Sequence, residues 1–299
     1  MQSKIFSFIH VVLYILREIF VNYIGYKCGL RSLLKRSKHK NITNNLKLDI
    51  QDKGYKHIEI IKNFLKASKT KKNVFLEMGP GGTLLNGLMV IKDGWNTYIG
   101  IDAFPSEVWV GYPLKLYDLY IDSLKSSNKK EMNKVLTDSI DKLGPIYYYG
   151  KGSIFNNDFN KKFRDGSIDF IYSWGVLEHI ENPSAIFKKN FKLLSKNGSI
   201  LHIIDTHPHT WNRFTNPYIF LTIPNTIWNL MYKNRGFINR YRYNDYILWA
   251  KEAGFKVDIL KKEISQHDIK KIKPMMLKEY SNLSDKEILT ERIYMKLTK

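Results

Sequence analysis

Between positions 202 and 209 the chain carries His202, Asp205, His207 and His209. Histidine titrates near 6.5 when unperturbed, so at neutral pH it can take a proton from a hydroxyl, an effect worth roughly 10²–10⁴ in rate. Asp205 can orient such a base. One acid with up to three histidines at this spacing also suits some divalent ions. A plainer reading stands beside both: His207 and His209 flank Pro208 in a loop, and His202 lies within an apolar run that reads as a buried strand. His209, Asp205 and His202 are taken as the catalytic candidates, with no metal assigned. Arg213, Arg240 and Arg242 follow. Guanidinium groups can clamp a phosphate or carboxylate through paired hydrogen bonds, so these three are the acceptor-binding candidates. The Asn239–Tyr243 run can equally begin a helix that packs its aromatics.

A second constellation lies earlier. Residues 73–79, NVFLEMG, form an apolar run ending in acid-x-Gly, the pattern of a buried strand. Pro80-Gly81-Gly82-Thr83 follow, then Leu84, Leu85, Leu88 and Met89 at helical spacing. Glycines at such a turn let the backbone approach a ligand closely. A second strand, 97–101, ends in Asp102, about twenty residues past the turn; an acid there can hydrogen-bond both hydroxyls of a ribose. The turn lacks the G-x-G-x-x-G spacing, which disfavours a nicotinamide dinucleotide.

The elements that must position these residues continue in order. Residues 147–153 read as a third strand. Asp165-Gly166-Ser167 turns into a fourth, 168–173, which runs into Trp174-Gly175-Val176-Leu177-Glu178-His179-Ile180. His179 itself reads as a satisfied residue at a helix start. A helix carrying Phe187, Phe191 and Leu194 is predicted to stop at Lys196-Asn197-Gly198, before a fifth strand at 199–205. Residues 246–253 form an amphipathic helix with a stop at Gly254, and 255–260 and 293–297 read as the last two strands.

The succession E-x-G-P-G-G, G-I-D, D-G-S-I-D-F-I-Y-S, V-L-E-H-I and L-S-K-N-G-S-I resembles class I S-adenosylmethionine-dependent methyltransferases of the type 11 group, over about residues 73–299. The resemblance implies an α/β, Rossmann-like doubly wound seven-stranded sheet, mostly parallel with an antiparallel last strand. It implies S-adenosylmethionine as cofactor, with Glu77, Gly79, Gly81 and Gly82 at the methionine end and Asp102 on the ribose. Ala103, Ser153 and Ile154 would flank the adenine, and Ser173 and Trp174 would lie near the reactive methyl. The pattern departs from the family at Pro80, which fills the first spacer of the Gly-rich turn, and at Ser153, where an acid is usual. The stretch from His202 through Arg242 resembles methyltransferases encoded with bacterial surface-polysaccharide genes. His202, Asp205, His209, Asn239, Arg240 and Arg242 match that pattern, while Pro208 replaces its acid. It implies methylation, at oxygen, of a polysaccharide precursor, sugar or related polar metabolite. The alternative is an inactive methyltransferase-fold binding protein at the membrane surface.

The totals bound the rest. A 299-residue chain with 43% apolar residues can build one large domain with appendages, and its single cysteine, Cys28, excludes an intrachain disulfide. The net charge of +20 comes from lysines that are mostly scattered singly. Ser173-Trp174-Gly175 is not the Asn/Asp-Pro-Pro-aromatic motif of amino-group methylation of nucleic acid, so a nucleic-acid partner is disfavoured and a small-molecule or glycan-precursor substrate is expected. Three parts are expected: an amphipathic helix and basic segment at 1–45, a helical lead-in at 46–72, and the methyltransferase domain at 73–299 with insertions at 104–144 and 206–240. In residues 4–24 a narrow polar stripe (Ser3, Ser7, His10, Tyr14, Arg17, Asn22) interrupts a broad apolar surface. Lys27, Arg31, Lys35, Arg36, Lys38 and Lys40 follow without an acid. That suits a helix in an anionic membrane interface, with contact through residues 4–40; a helix packed on the following domain is the other reading. The expected location is cytoplasmic, or peripheral on the inner face of the membrane.

Overall fold

A computed structural model of the chain describes residues 2–27, 55–66, 70–80, 85–102, 146–150, 153–155, 157–232 and 238–299. The expected insertion at 104–144, along with Gly81, Gly82 and Ala103, lies outside these described residues.

Short buried apolar runs make the strands. Val74–Met78 (β1), Thr97–Asp102 (β2), Ile146–Gly150 (β3), Ile168–Trp174 (β4), Leu194–Asp205 (β5), Lys256–Ile264 (β6) and Thr290–Thr298 (β7) form one sheet among the described residues. Their order is β3-β2-β1-β4-β5-β7-β6. β1 to β5 pair in parallel, and β7 runs antiparallel to both β5 and β6. β4 is buried along nearly its whole length, as a central strand covered on both faces must be. β6 closes one edge with exposed Lys256 and Lys261, charges that discourage further strand pairing.

Helices cover both faces. In chain order, those before β6 are Gln2–Lys27 (α1), Tyr55–Lys66 (α2), Leu85–Lys92 (α3), Asn157–Lys162 (α4), Pro183–Leu193 (α5), Asn225–Tyr232 (α6) and Tyr243–Glu252 (α7). Alternation along β1 sends Leu76 and Met78 into the core shared with Phe187 of α5 and Tyr246 of α7. Phe75 and Glu77 point the other way, with Phe170 and Tyr172. There α2 lays Phe64 against Phe170 at 5.5 Å between ring centroids and stacks His57 on Trp174 at 4.0 Å.

One predicted boundary moves. The helix expected to end at Lys196-Asn197-Gly198 ends at Leu193, and β5 begins at Leu194. Gly198 is glycine for a different reason: a Cβ there would stand 2.9 Å from the Asp169 carbonyl oxygen on the adjoining strand.

The 206–240 insertion builds a second hydrophobic core. Trp211, Tyr218, Phe220 and Trp228 are buried in it together with Ile272, Tyr280 and Ile288 from the chain beyond β6. Val11 and Tyr14 of α1 enter the same core. The aromatic residues of this insertion are therefore packing groups.

Candidate active site

The carboxyl ends of β1, β2, β4 and β5 lie side by side, where an open α/β sheet forms its ligand crevice. Glu77 pairs in register with Gly100 on one side and Tyr172 on the other. Asp102 lies two residues beyond Gly100 and so shares the face of Glu77, and its charge acts on the Glu77 carboxyl. Glu77 is 3% exposed. Its carboxylate accepts hydrogen bonds from Asn86 at 2.8 Å and from the Tyr98 hydroxyl at 2.5 Å. Burial nevertheless dominates and, with help from the Asp102 charge, pushes its pKa up to about 7. A cation seated beside it would recover much of that penalty.

Gly79 adopts φ +70°, and its N–H donates to the Ile101 carbonyl at 2.8 Å. A Cβ here would meet Val176 Cγ2 at 2.4 Å, so only glycine fits this left-handed bend against the loop after β4. Beyond β3, the Ser153 hydroxyl accepts the Phe155 N–H at 3.2 Å, and Ile154 is buried. Trp174 ends β4 beneath the His57 ring. Ser173, expected beside the reactive methyl, instead turns inward, with its hydroxyl 2.7 Å from His202 Nδ1.

On the acceptor side three expected roles are corrected. His202 is fully buried, with Nε2 3.3 Å from the Asn190 amide, and burial depresses its pKa to about 3. With both ring nitrogens engaged inside the sheet, it is a core residue. Arg240 donates to the Phe220 and Ile223 carbonyls at 2.9 and 2.6 Å and to Asn225, and lies over the Trp228 ring. Arg242, also buried, donates to the Thr206 and Thr290 carbonyls at 2.6 and 3.3 Å. Neither guanidinium faces an acceptor; both satisfy backbone oxygens that burial would otherwise leave bare. Arg213 is exposed and lies over the Tyr14 ring of α1, 4.8 Å from its centroid.

Asp205 also differs from the role expected of it. One oxygen accepts the His207 N–H at 3.0 Å and the other pairs with Arg292 at 2.9 Å, so its hydrogen bonds brace the turn after β5 and its influence on the His209 ring is through its charge. The His207 ring continues the brace, its Nδ1 accepting the His209 N–H at 2.9 Å and its Nε2 meeting Asn212 at 2.6 Å.

His209 is the catalytic candidate that the geometry retains. At φ +47° it is the one non-glycine residue with positive φ among the described residues, a conformation that costs on the order of 1–3 kcal/mol and concentrates at functional sites. Burial holds its pKa down at about 4, so the ring is neutral at neutral pH, and its buried Nε2 has no hydrogen-bond partner.

The sequence reading missed Glu178. It sits in the 3-10 turn Leu177–His179 directly after β4, is 2% exposed, and leaves Oε2 without a partner. Burial, reinforced by the Asp205 charge, raises its pKa to about 8. Asn239 holds this turn by donating its amide to the Leu177 and Ile180 carbonyls at 2.8 and 3.0 Å, while its own N–H reaches the Glu178 carbonyl. Tyr246 orients that amide at 2.8 Å. Glu178, His179 and His209 bring their ligand-type atoms within 4.8 Å of one another. The V-L-E-H-I run was a visible signal, but its meeting with His209 is tertiary.

Strand order and the glycine bend define a doubly wound α/β sheet with a polar cluster at its mouth. The sequence model of the methyltransferase domain matches residues 51–259, and the chain belongs to this family of S-adenosylmethionine-dependent methyltransferases. No curated protein matches it. Among solved structures, it is similar to phosphoethanolamine N-methyltransferase 2 of Haemonchus contortus in complex with phosphomonomethylethanolamine and S-adenosylhomocysteine. That match has TM-score 0.47 and 12% identity, and covers 81% of this chain and 52% of that one. It is also similar to an S-adenosylmethionine-dependent methyltransferase from Mesorhizobium loti (TM-score 0.44, 11% identity, covering 81% and 97%). The YcgJ protein of Bacillus subtilis matches with TM-score 0.42 and 11% identity, covering 81% and 96%.

Proposed function

We propose that the chain binds S-adenosylmethionine in the crevice between Glu77 and Asp102 and transfers its methyl group to an oxygen of a polysaccharide precursor, sugar or related polar metabolite. The observation that carries the donor half is the shared face of two carboxylates at adjacent strand ends, one of them buried and short of positive charge, beside a bend that only glycine can make. In this reading Asp102 would hold the ribose hydroxyls and Glu77 would face the positively charged amino-acid end of the donor. When bound, the donor supplies an electrophilic methyl on a sulfonium. The chain's own task is then to seat the acceptor oxygen and remove its proton. Val176 packs on the Gly79 bend and lies two residues before Glu178, which links the donor turn directly to the Glu178–His179–His209 cluster. That adjacency supports the cluster as the acceptor side. The polysaccharide class of acceptor rests on the His202–Arg242 resemblance.

Label transfer tests this reading. Extract from cells lacking the protein is incubated with methyl-labelled donor and the purified chain. Label in a base-stable polar metabolite or glycan precursor is expected. Labelling of nucleic acid or protein alone, or no labelling at all, overturns it.

A second observation favours a membrane seat. The polar stripe of α1 is divided, with His10 and Arg17 exposed and Tyr14 and Asn22 buried. Tyr14, Glu18 and Asn22 face the domain, with the Asn22 amide donating to the Leu230 carbonyl at 2.7 Å, whereas Leu13, Leu16 and Phe20 are 56%, 56% and 61% exposed. Of the two readings of this segment, its packing on the domain is observed, and it leaves the apolar stripe outward. No described helix is long and apolar enough to cross a membrane. An outward stripe next to six basic residues at 27–40 fits a helix lying on an anionic bilayer.

A further inference from the structure

Three side chains at the mouth of the sheet have the composition of a metal site. Glu178 and His179 arrive on the turn after β4, and His209 begins the 3-10 turn His209–Arg213 after β5. Their ligand atoms lie within 4.8 Å of one another. Tetrahedral metal–ligand bonds of about 2.0–2.2 Å put donors on one ion about 3.3–3.6 Å apart, so side-chain rotations that move these atoms by about an ångström would close the set.

Two further observations point at a ligand. Glu178 is almost wholly buried, yet its Oε2 has no hydrogen-bond partner, and His209 Nε2 is buried and equally unpartnered. Buried polar atoms in folded proteins are nearly always satisfied, so two orphans on residues of one cluster ask for a third party. The backbone also spends strain to hold this arrangement. His209 keeps its left-handed φ because the His207 ring accepts its N–H, and Arg242 fixes the Thr206 carbonyl just upstream.

We propose that Glu178, His179 and His209 bind one divalent first-row transition cation. Two imidazoles and one carboxylate suit zinc, manganese, iron or cobalt better than calcium or magnesium, which prefer all-oxygen sets. Three protein ligands leave positions open, as in sites that act on a substrate. If the methyl-transfer reading holds, a cation held by these three residues would polarise an acceptor hydroxyl and ease the loss of its proton to water; the oxygen would then bond to the methyl carbon as the carbon–sulfur bond breaks, leaving the spent donor as a neutral thioether. His209 is then a ligand, in place of the base expected from sequence.

The cation half is independent of the donor and is tested without it. The full-length untagged chain, stripped with chelator, is titrated with Co²⁺ while visible absorption is followed, and with Zn²⁺ by calorimetry. One saturable site per chain is expected, with ligand-field bands from bound cobalt. His209→Ala and Glu178→Gln should each weaken binding by at least roughly 100-fold, given that even outer partners of metal sites count for 10–100-fold. If His209→Ala proves unfolded by circular dichroism, His179→Ala takes its place. The control His267→Ala, on the exposed loop after β6, should bind like the wild type. No saturable binding, or binding that survives both ligand substitutions, overturns the proposal. Donor binding that fails while cobalt binds would overturn the functional reading alone.

Discussion

Glu77 and Glu178 are acids whose burial keeps a proton on them near neutrality, and the sign of that effect can be measured. Glu77 is raised from an ordinary 4.5 to about 7. Below about pH 4.5 the carboxyl is protonated in folded and unfolded chains alike. Between 4.5 and 7 the unfolded chain loses its proton while the folded one keeps it, so stability falls as pH rises through this window. A shift of that size corresponds to on the order of 3 kcal/mol. Thermal melts of wild type and Glu77→Gln across pH 4.5–8 should show a steeper fall in the wild type, and identical slopes would contradict the burial argument. The positions of Glu77 and Asp102 were legible in the sequence because a Gly-rich turn and a strand-terminal acid at fixed separation lie on neighbouring strands. Glu178 was not, because its partner His209 is separated from it by α5 and the whole of β5.

Among the connecting elements, the Asn239-Arg240-Tyr241-Arg242 run shows how a legible motif can be assigned the wrong task. Its residue types suit a phosphate clamp, yet its side chains pin loops. Asn239 holds the Glu178 turn, Arg240 the turn at 220–225, and Arg242 the Thr206 carbonyl ahead of the histidines. Only the three-dimensional placement of those carbonyls separates the two uses, and sequence spacing carries no trace of it. Each buried carbonyl left bare costs about 1–3 kcal/mol, so Arg242→Ala, which strips both the Thr206 and Thr290 carbonyls, should lower the melting temperature sharply by calorimetry. An acceptor clamp would instead leave stability unchanged and raise KM. Asn239→Ala should cost about 1–3 kcal/mol for the carbonyls it bares and lower turnover more than it weakens donor binding; an equal loss of both would argue against its tie to the Glu178 turn. The stop expected at Gly198 erred for a similar reason. A glycine after a helical run reads as a C-cap, whereas this one serves a close approach between strands.

Taken whole, the molecule joins a methyltransferase sheet to a second aromatic core that ties α1 to the insertion after β5. Sequence periodicity found α1 and its polar stripe but left open what the stripe faces, because the partners of Tyr14 and Asn22 lie elsewhere in the chain. The exposed Leu13 and Leu16 give this part of the account its test. Each buries apolar area worth about 1.5–3 kcal/mol if inserted in a bilayer interface, so Leu13→Glu with Leu16→Glu should reduce co-sedimentation with anionic vesicles at least tenfold. Unchanged retention, or a wild-type dimer whose association the same changes abolish, would contradict the membrane seat. The central claim is the donor crevice, and calorimetry with S-adenosylhomocysteine tests it most directly. The folded wild-type chain should bind one equivalent, and Asp102→Ala should bind about 10–100-fold more weakly through loss of charge-assisted hydrogen bonds. No heat from folded wild-type protein, or undiminished affinity in Asp102→Ala, would contradict the account.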